Sequence, residues 1–90
     1  MSKVFKVCEK DEWEKVKHND FFGGSKIDKN DGFIHFSTSK QLKGTLEKYF
    51  KSKGQLYLLE VNTDNLNFVW EVSRNNQQFP HLYEPLPFSA

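Results

Sequence analysis

Two histidines stand where side-chain chemistry would be useful. His35 lies in Gly32-Phe33-Ile34-His35-Phe36-Ser37, a run of β-formers, and Ser37 follows it by two residues. On a strand that spacing sets both polar tips on one face. His81 lies in Phe79-Pro80-His81-Leu82-Tyr83, with Tyr83 at the same parity. An imidazole with a hydroxyl beside it can bond a phosphate, a ribose or a carbonyl, and imidazole changes charge near neutral pH. Glu71 follows Trp70 in an apolar run, where its carboxylate suits a base, a hydroxyl anchor or a solvated sheet face. The catalytic candidates are therefore His35, His81 and Glu71, with none assigned a role. The opposing reading makes both histidines core residues bonded to backbone carbonyls.

Other chemistries find less support. His18, His35 and His81 share no metal-ligand spacing, and the chain has no H-E-x-x-H, P-loop or G-x-G-x-x-G motif. Gly23-Gly24 is too short to read as a phosphate cradle. Cys8 is the single cysteine, so neither an intrachain disulfide nor a cysteine-based zinc site can form. It is expected to be a buried structural thiol. His18, near the end of a predicted helix, has its explanation in the helix dipole.

The elements that must hold these residues can be read along the chain. Val4-Phe5-Lys6-Val7 reads as a strand. Asp11 and Glu14 form a capping-box pattern that predicts a helix with Trp13 and Val16 facing the core, ending near His18-Asn19-Asp20. Phe21-Phe22 is expected to anchor an irregular stretch over 20–31, in which Gly23-Gly24 and Asp28-Lys29-Asn30-Asp31-Gly32 read as turns and which is the mobile loop expected before the middle of the chain. The Gly32–Ser37 strand should turn Phe33, His35 and Ser37 one way and Ile34 and Phe36 the other. Thr38 and Gln41 then cap a second helix carrying Leu42, Leu46, Tyr49 and Phe50, stopped by Gly54. Gln55–Val61 reads as a central strand and Phe68–Val72 as another, followed by a polar loop over 73–78. Pro85 and Pro87 exclude helix near the end and favour an extended edge. The order predicts an α+β domain with a mostly antiparallel, curved sheet and two helices.

Ninety residues support one domain with one small core, 1–90. Apolar residues make up only 37 %, but aromatics make up 16 %, so the core should be rich in rings. No apolar run approaches the roughly 18 residues of a membrane span, and the first residues lack a signal peptide's apolar stretch. A cytoplasmic setting without membrane contact is expected. The net charge of +1 argues against nucleic acid. Positive charge gathers in residues 1–53 and negative in 54–90, but the lysines are dispersed, as on a solvated surface.

The runs Gly32-Phe33-Ile34-His35-Phe36-Ser37-Thr38 and Phe79-Pro80-His81-Leu82-Tyr83-Glu84-Pro85-Leu86-Pro87 together resemble the domain-of-unknown-function family numbered 952. Gln41, Gly44 and Phe50, Leu58-Leu59-Glu60-Val61-Asn62 and Trp70-Glu71 fit its middle. The resemblance spans about Val4 to Phe88 and implies an ADP-ribosyltransferase-like fold, a small split sheet with a cleft that in active relatives holds NAD. It implies that His35, Ser37 and Thr38 line that cleft, with His81 and Tyr83 on a facing wall. Lys6 stands where many members have histidine, Glu84 where glycine is common, and the chain stops at Ala90 where many continue into a further strand.

The expectation from this resemblance is a ligand-binding set of Lys6, Phe33, His35, Ser37, Thr38, His81 and Tyr83. It would take NAD or another nucleotide-like small molecule as ligand or cofactor, and ADP-ribosyl-transfer-type chemistry would be its activity. The alternative is a non-catalytic ligand- or protein-binding module that keeps the fold. Oligomeric state is left open.

Overall fold

The computed structural model describes residues 3–51, 53–64, 66–73 and 76–87. The chain order is β1 (Lys3–Glu9), α1 (Lys10–Val16), β2 (Phe21–Phe22), α2 (Lys26–Asp31), β3 (Ile34–His35), α3 (Ser39–Tyr49), β4 (Leu56–Asn62), β5 (Phe68–Val72), β6 (Gln78–Leu82) and β7 (Leu86–Pro87). This is an α+β fold, and every strand pair in it is antiparallel. Three helices are described where the sequence predicts two.

The sheet is split. β1 pairs with β4 along its whole length, β3, β6 and β5 form a three-stranded sheet in that order, and β2 pairs with β7. One bridge joins the first two pieces: Phe5 and Ser37 exchange N–H···O bonds of 2.7 and 2.8 Å.

The core fills from one face of each strand. Val4 and Cys8 of β1, Phe22 of β2, Ile34 of β3, Val61 of β4, Leu82 of β6, Leu86 of β7 and Phe36 form one buried cluster, with Trp13, Val16, Leu59, Leu66 and Phe68 packed against it. Phe36 meets Phe68 edge-on at 4.9 Å, a favoured geometry for two rings. The predicted alternation of Ile34 and Phe36 inward holds. Phe22 anchors as expected, while Phe21 is exposed.

Four local expectations are corrected. The first helix starts earlier, because Glu9 and Glu12, rather than Asp11 and Glu14, form its capping box. Residues 26–31 are a helix, not a turn. Ser25 and Asp28 cap it reciprocally and Gly32, at φ 85°, ends it. α3 stops at Tyr49 with Phe50 as its C-cap, ahead of Gly54. β4 is a sheet edge rather than a central strand, since β1 is its sole ladder partner among the described residues, and Tyr57 and Leu58 are exposed. The polar segment 73–78 includes residues outside those described, so the predicted loop is tested there only in part.

Candidate functional site

The site begins with a carboxylate. Asp28 is 1 % exposed, and a buried charge is tolerated only when it is paired and hydrogen-bonded. Its Oδ2 lies 2.6 Å from Lys6 Nζ and accepts the Ser25 N–H at 2.8 Å. Its Oδ1 lies 2.6 Å from His35 Nδ1 and accepts the His35 N–H at 3.1 Å. Burial alone would push the Asp28 carboxyl up. The His35 hydrogen bond and the Lys6 ammonium outweigh it and bring the carboxyl down from 3.8 to about 2. The chain reaches this position through Gly24, at φ 103°, where a Cβ would sit 2.8 Å from that of Asp28. Lys6 falls on the parity of Val4 and Cys8, so its ammonium turns toward buried surroundings, where Asp28 receives it.

The second carboxylate is Glu71 on β5. Its Oε1 lies 2.7 Å from His81 Nδ1 and accepts the Tyr83 hydroxyl at 2.7 Å. The Tyr83 and His81 hydrogen bonds hold the Glu71 carboxyl below its usual range, and the same contact pushes the Tyr83 phenol up. His81 is 5 % exposed, so it meets a partner that stays ionised.

The two histidines are neighbours. His35 and His81 are directly opposed in the β3–β6 register, with ring centroids 5.4 Å apart and edge-on. Phe33 stacks on His81 at 4.2 Å and tilts against His35 at 4.5 Å and Tyr83 at 5.1 Å. A single phenyl ring thus braces both imidazoles. Neither histidine is the core residue bonded to backbone carbonyl that one reading of the sequence allows. Each is oriented by a carboxylate on Nδ1 instead.

Both rings line a cleft of about 600 Å³ at the joint between the sheets. Lys6, His35, Ser37 and His81 share its wall, with Phe5, Tyr49, Phe50 and Phe79 supplying aromatic surface and Lys26 and Lys53 cationic ends. Ser37 Oγ is 2.8 Å from Thr45 Oγ1, so the strand and α3 are tied at the cleft wall. The carboxylates there differ in freedom. Glu12 accepts the backbone N–H groups of Glu9 and Lys26, Glu9 lies 3.8 Å from Lys53, and Asp31 Oδ2 lies 3.0 Å from His35 Nε2.

Other predicted site residues fall elsewhere. Thr38 does not line the cleft; its hydroxyl is spent accepting the Gln41 N–H as the cap of α3. Phe33 and Tyr83 line a smaller hollow of about 170 Å³ beside the cleft. Glu71 is not a cleft residue and acts on it through His81. His81 stands on the same wall as His35, not on a facing one, because β3 and β6 are adjacent. Asp28 and Asp31 went unpredicted. The Ser25-x-x-Asp28 spacing was the available signal, a capping box in a stretch that reads as turn. Cys8 is buried, as expected, and burial pushes its thiol up to about 12. Among the described residues no group of three or more His, Cys, Asp or Glu is arranged to hold a metal ion, and no helix is long and apolar enough to cross a membrane.

Comparison with known proteins bears on the whole chain. The crystal structure of protein CC0527 from Caulobacter crescentus is 38 % identical, covers 98 % of this chain and 79 % of its own, and superimposes with a TM-score of 0.90. The solution NMR structure of the same protein is 40 % identical over 99 % of this chain and 78 % of its own, with a TM-score of 0.84. Among curated proteins none matches. The model of the family described as "protein of unknown function (DUF952)" matches residues 7–90. The conjunction of the two histidine runs and the carboxylates that orient them therefore sits in a chain that belongs to the family DUF952.

Proposed function

We propose that the cleft binds a nucleotide-like small molecule, with NAD as the first candidate, in a chain that folds as one domain with an ADP-ribosyltransferase-like sheet. The observation that carries this reading is the convergence of Lys6, His35, Ser37 and His81 on one concave wall. Polar donors suit a phosphate and ribose, and the rings of Phe5, Tyr49, Phe50 and Phe79 suit a base. A site of a few convergent polar groups on an apolar wall is the usual form of a small-molecule pocket. The single cysteine, kept as a buried thiol, suits the cytoplasm.

ADP-ribosyl transfer would call for a carboxylate against the ribose. Of the two candidates for that role, Glu71 stands behind His81 and serves the cleft as a positioning residue, and Glu84 lines the smaller hollow beside it. That favours recognition of the ligand over transfer as the core of the reading.

The test is a two-dimensional amide NMR titration of labelled protein with NAD. Saturable shifts are expected at Phe5, Lys6, 35–37 and 79–81, with none required at Thr38. An unchanged spectrum at millimolar NAD, or shifts confined to other surfaces, would overturn the nucleotide reading.

A further inference from the structure

We propose that His35 and His81 act as a proton donor and a proton acceptor on a phosphodiester bound in the cleft, which would make the protein a phosphodiester hydrolase. The inference rests on the reading that the cleft takes a nucleotide-like ligand. It adds a reaction and a role for each ring.

The two imidazoles differ in one respect that sets their roles. His35 meets a carboxylate at each nitrogen, Asp28 Oδ1 at Nδ1 (2.6 Å) and Asp31 Oδ2 at Nε2 (3.0 Å). Carboxylates only accept, so a ring bonded at both nitrogens carries both protons and is the donor. His81 meets one carboxylate, Glu71 at Nδ1. No hydrogen bond among the described residues occupies its Nε2, and the ring lines the cleft. With its proton on Nδ1 facing Glu71, Nε2 is the acceptor. The groups around His35 are Asp28, Asp31 and, through Asp28, Lys6. Those around His81 are Glu71, Tyr83 and His35 itself.

Asp31 is half exposed at the end of α2. It is the group an anionic ligand would displace from Nε2. Asp28 is buried and fixed from four sides, so it stays. The imidazolium then presents its Nε2 proton to the ligand.

The step balances. A water oxygen attacks phosphorus and forms a P–O bond while its proton passes to His81 Nε2. The bond from phosphorus to the leaving alkoxide oxygen breaks, and that oxygen takes the Nε2 proton of His35. A phosphomonoester and an alcohol result, and solvent returns the proton from His81 to His35. A phosphoryl centre suits this wall better than a glycosidic one. With Asp28 compensating Lys6, the imidazolium freed from Asp31 would oppose the positive charge that builds on a sugar carbon.

The probes are 2′,3′-cyclic AMP and NAD, assayed by product chromatography alongside the NMR titration. Hydrolysis of the cyclic phosphodiester to a monophosphate is expected, with a bell-shaped pH–rate profile. In such a profile the acid limb reports the proton acceptor and the alkaline limb the donor. His81→Gln should cost roughly 100- to 10,000-fold and flatten the acid limb, and His35→Gln should do the same to the alkaline limb. Glu71→Gln, a positioning change, should move the acid limb without abolishing it. Each variant's amide spectrum checks that it folds. Turnover of the cyclic nucleotide without any NAD shift would overturn NAD as the ligand and support the proton pair. Binding of either nucleotide without hydrolysis of the cyclic phosphodiester would overturn the pair and leave the binding reading standing. Release of nicotinamide from NAD would overturn it in favour of ADP-ribosyl transfer.

Discussion

At the scale of single residues, Asp28 carries more of the site than either histidine. It turns His35, neutralises Lys6 and caps α2 at once. Both members of the Lys6–Asp28 pair are buried, at 5 % and 1 % exposure, so removing one leaves the other as an uncompensated charge. Asp28→Asn is expected to cost about 3–5 kcal/mol in denaturant unfolding. Lys6→Met combined with Asp28→Asn should recover most of it. Acid supplies an independent check. The folded Asp28 carboxyl lies at about 2 against an ordinary 3.8, so its contribution is present above pH 4 and lost as pH falls toward 2. That contribution is about 2 kcal/mol. The Lys6→Met/Asp28→Asn variant should show a correspondingly flatter decline in stability over that window, and an unchanged slope would contradict the assignment. His35 and His81 were legible because a polar residue inside a β-forming run is visible locally. Asp28 was not, because its role depends on a lysine in β1, far from α2 in the chain.

At the scale of elements, caps decide what can be read. Thr38 and Gln41 sit at the right spacing before a long apolar period, and α3 begins where that pattern says. Ser25 and Asp28 have the same spacing, but the segment after them is short and polar, so turn chemistry masks the helix. The two caps also separate structure from function. Thr38→Ala and Ser25→Ala should each cost about 1 kcal/mol of stability. Only Ser25→Ala should shift the His35 and Lys6 amide and side-chain resonances, because α2 places Asp28 while Thr38, the N-cap of α3, is not among the cleft-lining residues. Equal disturbance of His35 by both variants would contradict this division. Gln41 adds a tie of a different kind, as its Nε2 donates to the Gln78 carbonyl at 2.7 Å and fixes α3 to β6.

At the scale of the whole molecule, the split of the sheet makes the cleft. β1–β4 and β3–β6–β5 touch through the Phe5–Ser37 bridge, and the cleft is lined along that seam by residues of both. Cys8 reports on the integrity of this assembly. It is fully buried in the core cluster, and burial pushes its thiol up to about 12, so the folded protein holds it neutral and inaccessible. A disulfide exchange reagent at pH 8 should label Cys8 at the rate of unfolding, accelerating with denaturant. Immediate labelling in native buffer would mean that β1 opens locally. The edge position of β4 belongs to this scale too. Leu56-Tyr57-Leu58-Leu59 is apolar enough for a central strand, yet β1 is its one ladder partner among the described residues and Tyr57 and Leu58 stay exposed.

The residues alone determined the α+β class, the alternation that turns Ile34 and Phe36 inward, the cap of α3, the burial of Cys8 and the two histidine runs. These rest on periods of two and 3.6 residues and on neighbours within four positions, where local sterics and hydrogen bonding act. Tertiary structure alone decided that His35 and His81 are adjacent on one wall, that Thr38 is not part of its lining, and that Asp28 and Glu71 orient the two rings. Those relations join residues far apart in the chain. They follow from which strands share a ladder and which charge must be paired once buried, and neither quantity is carried by local spacing.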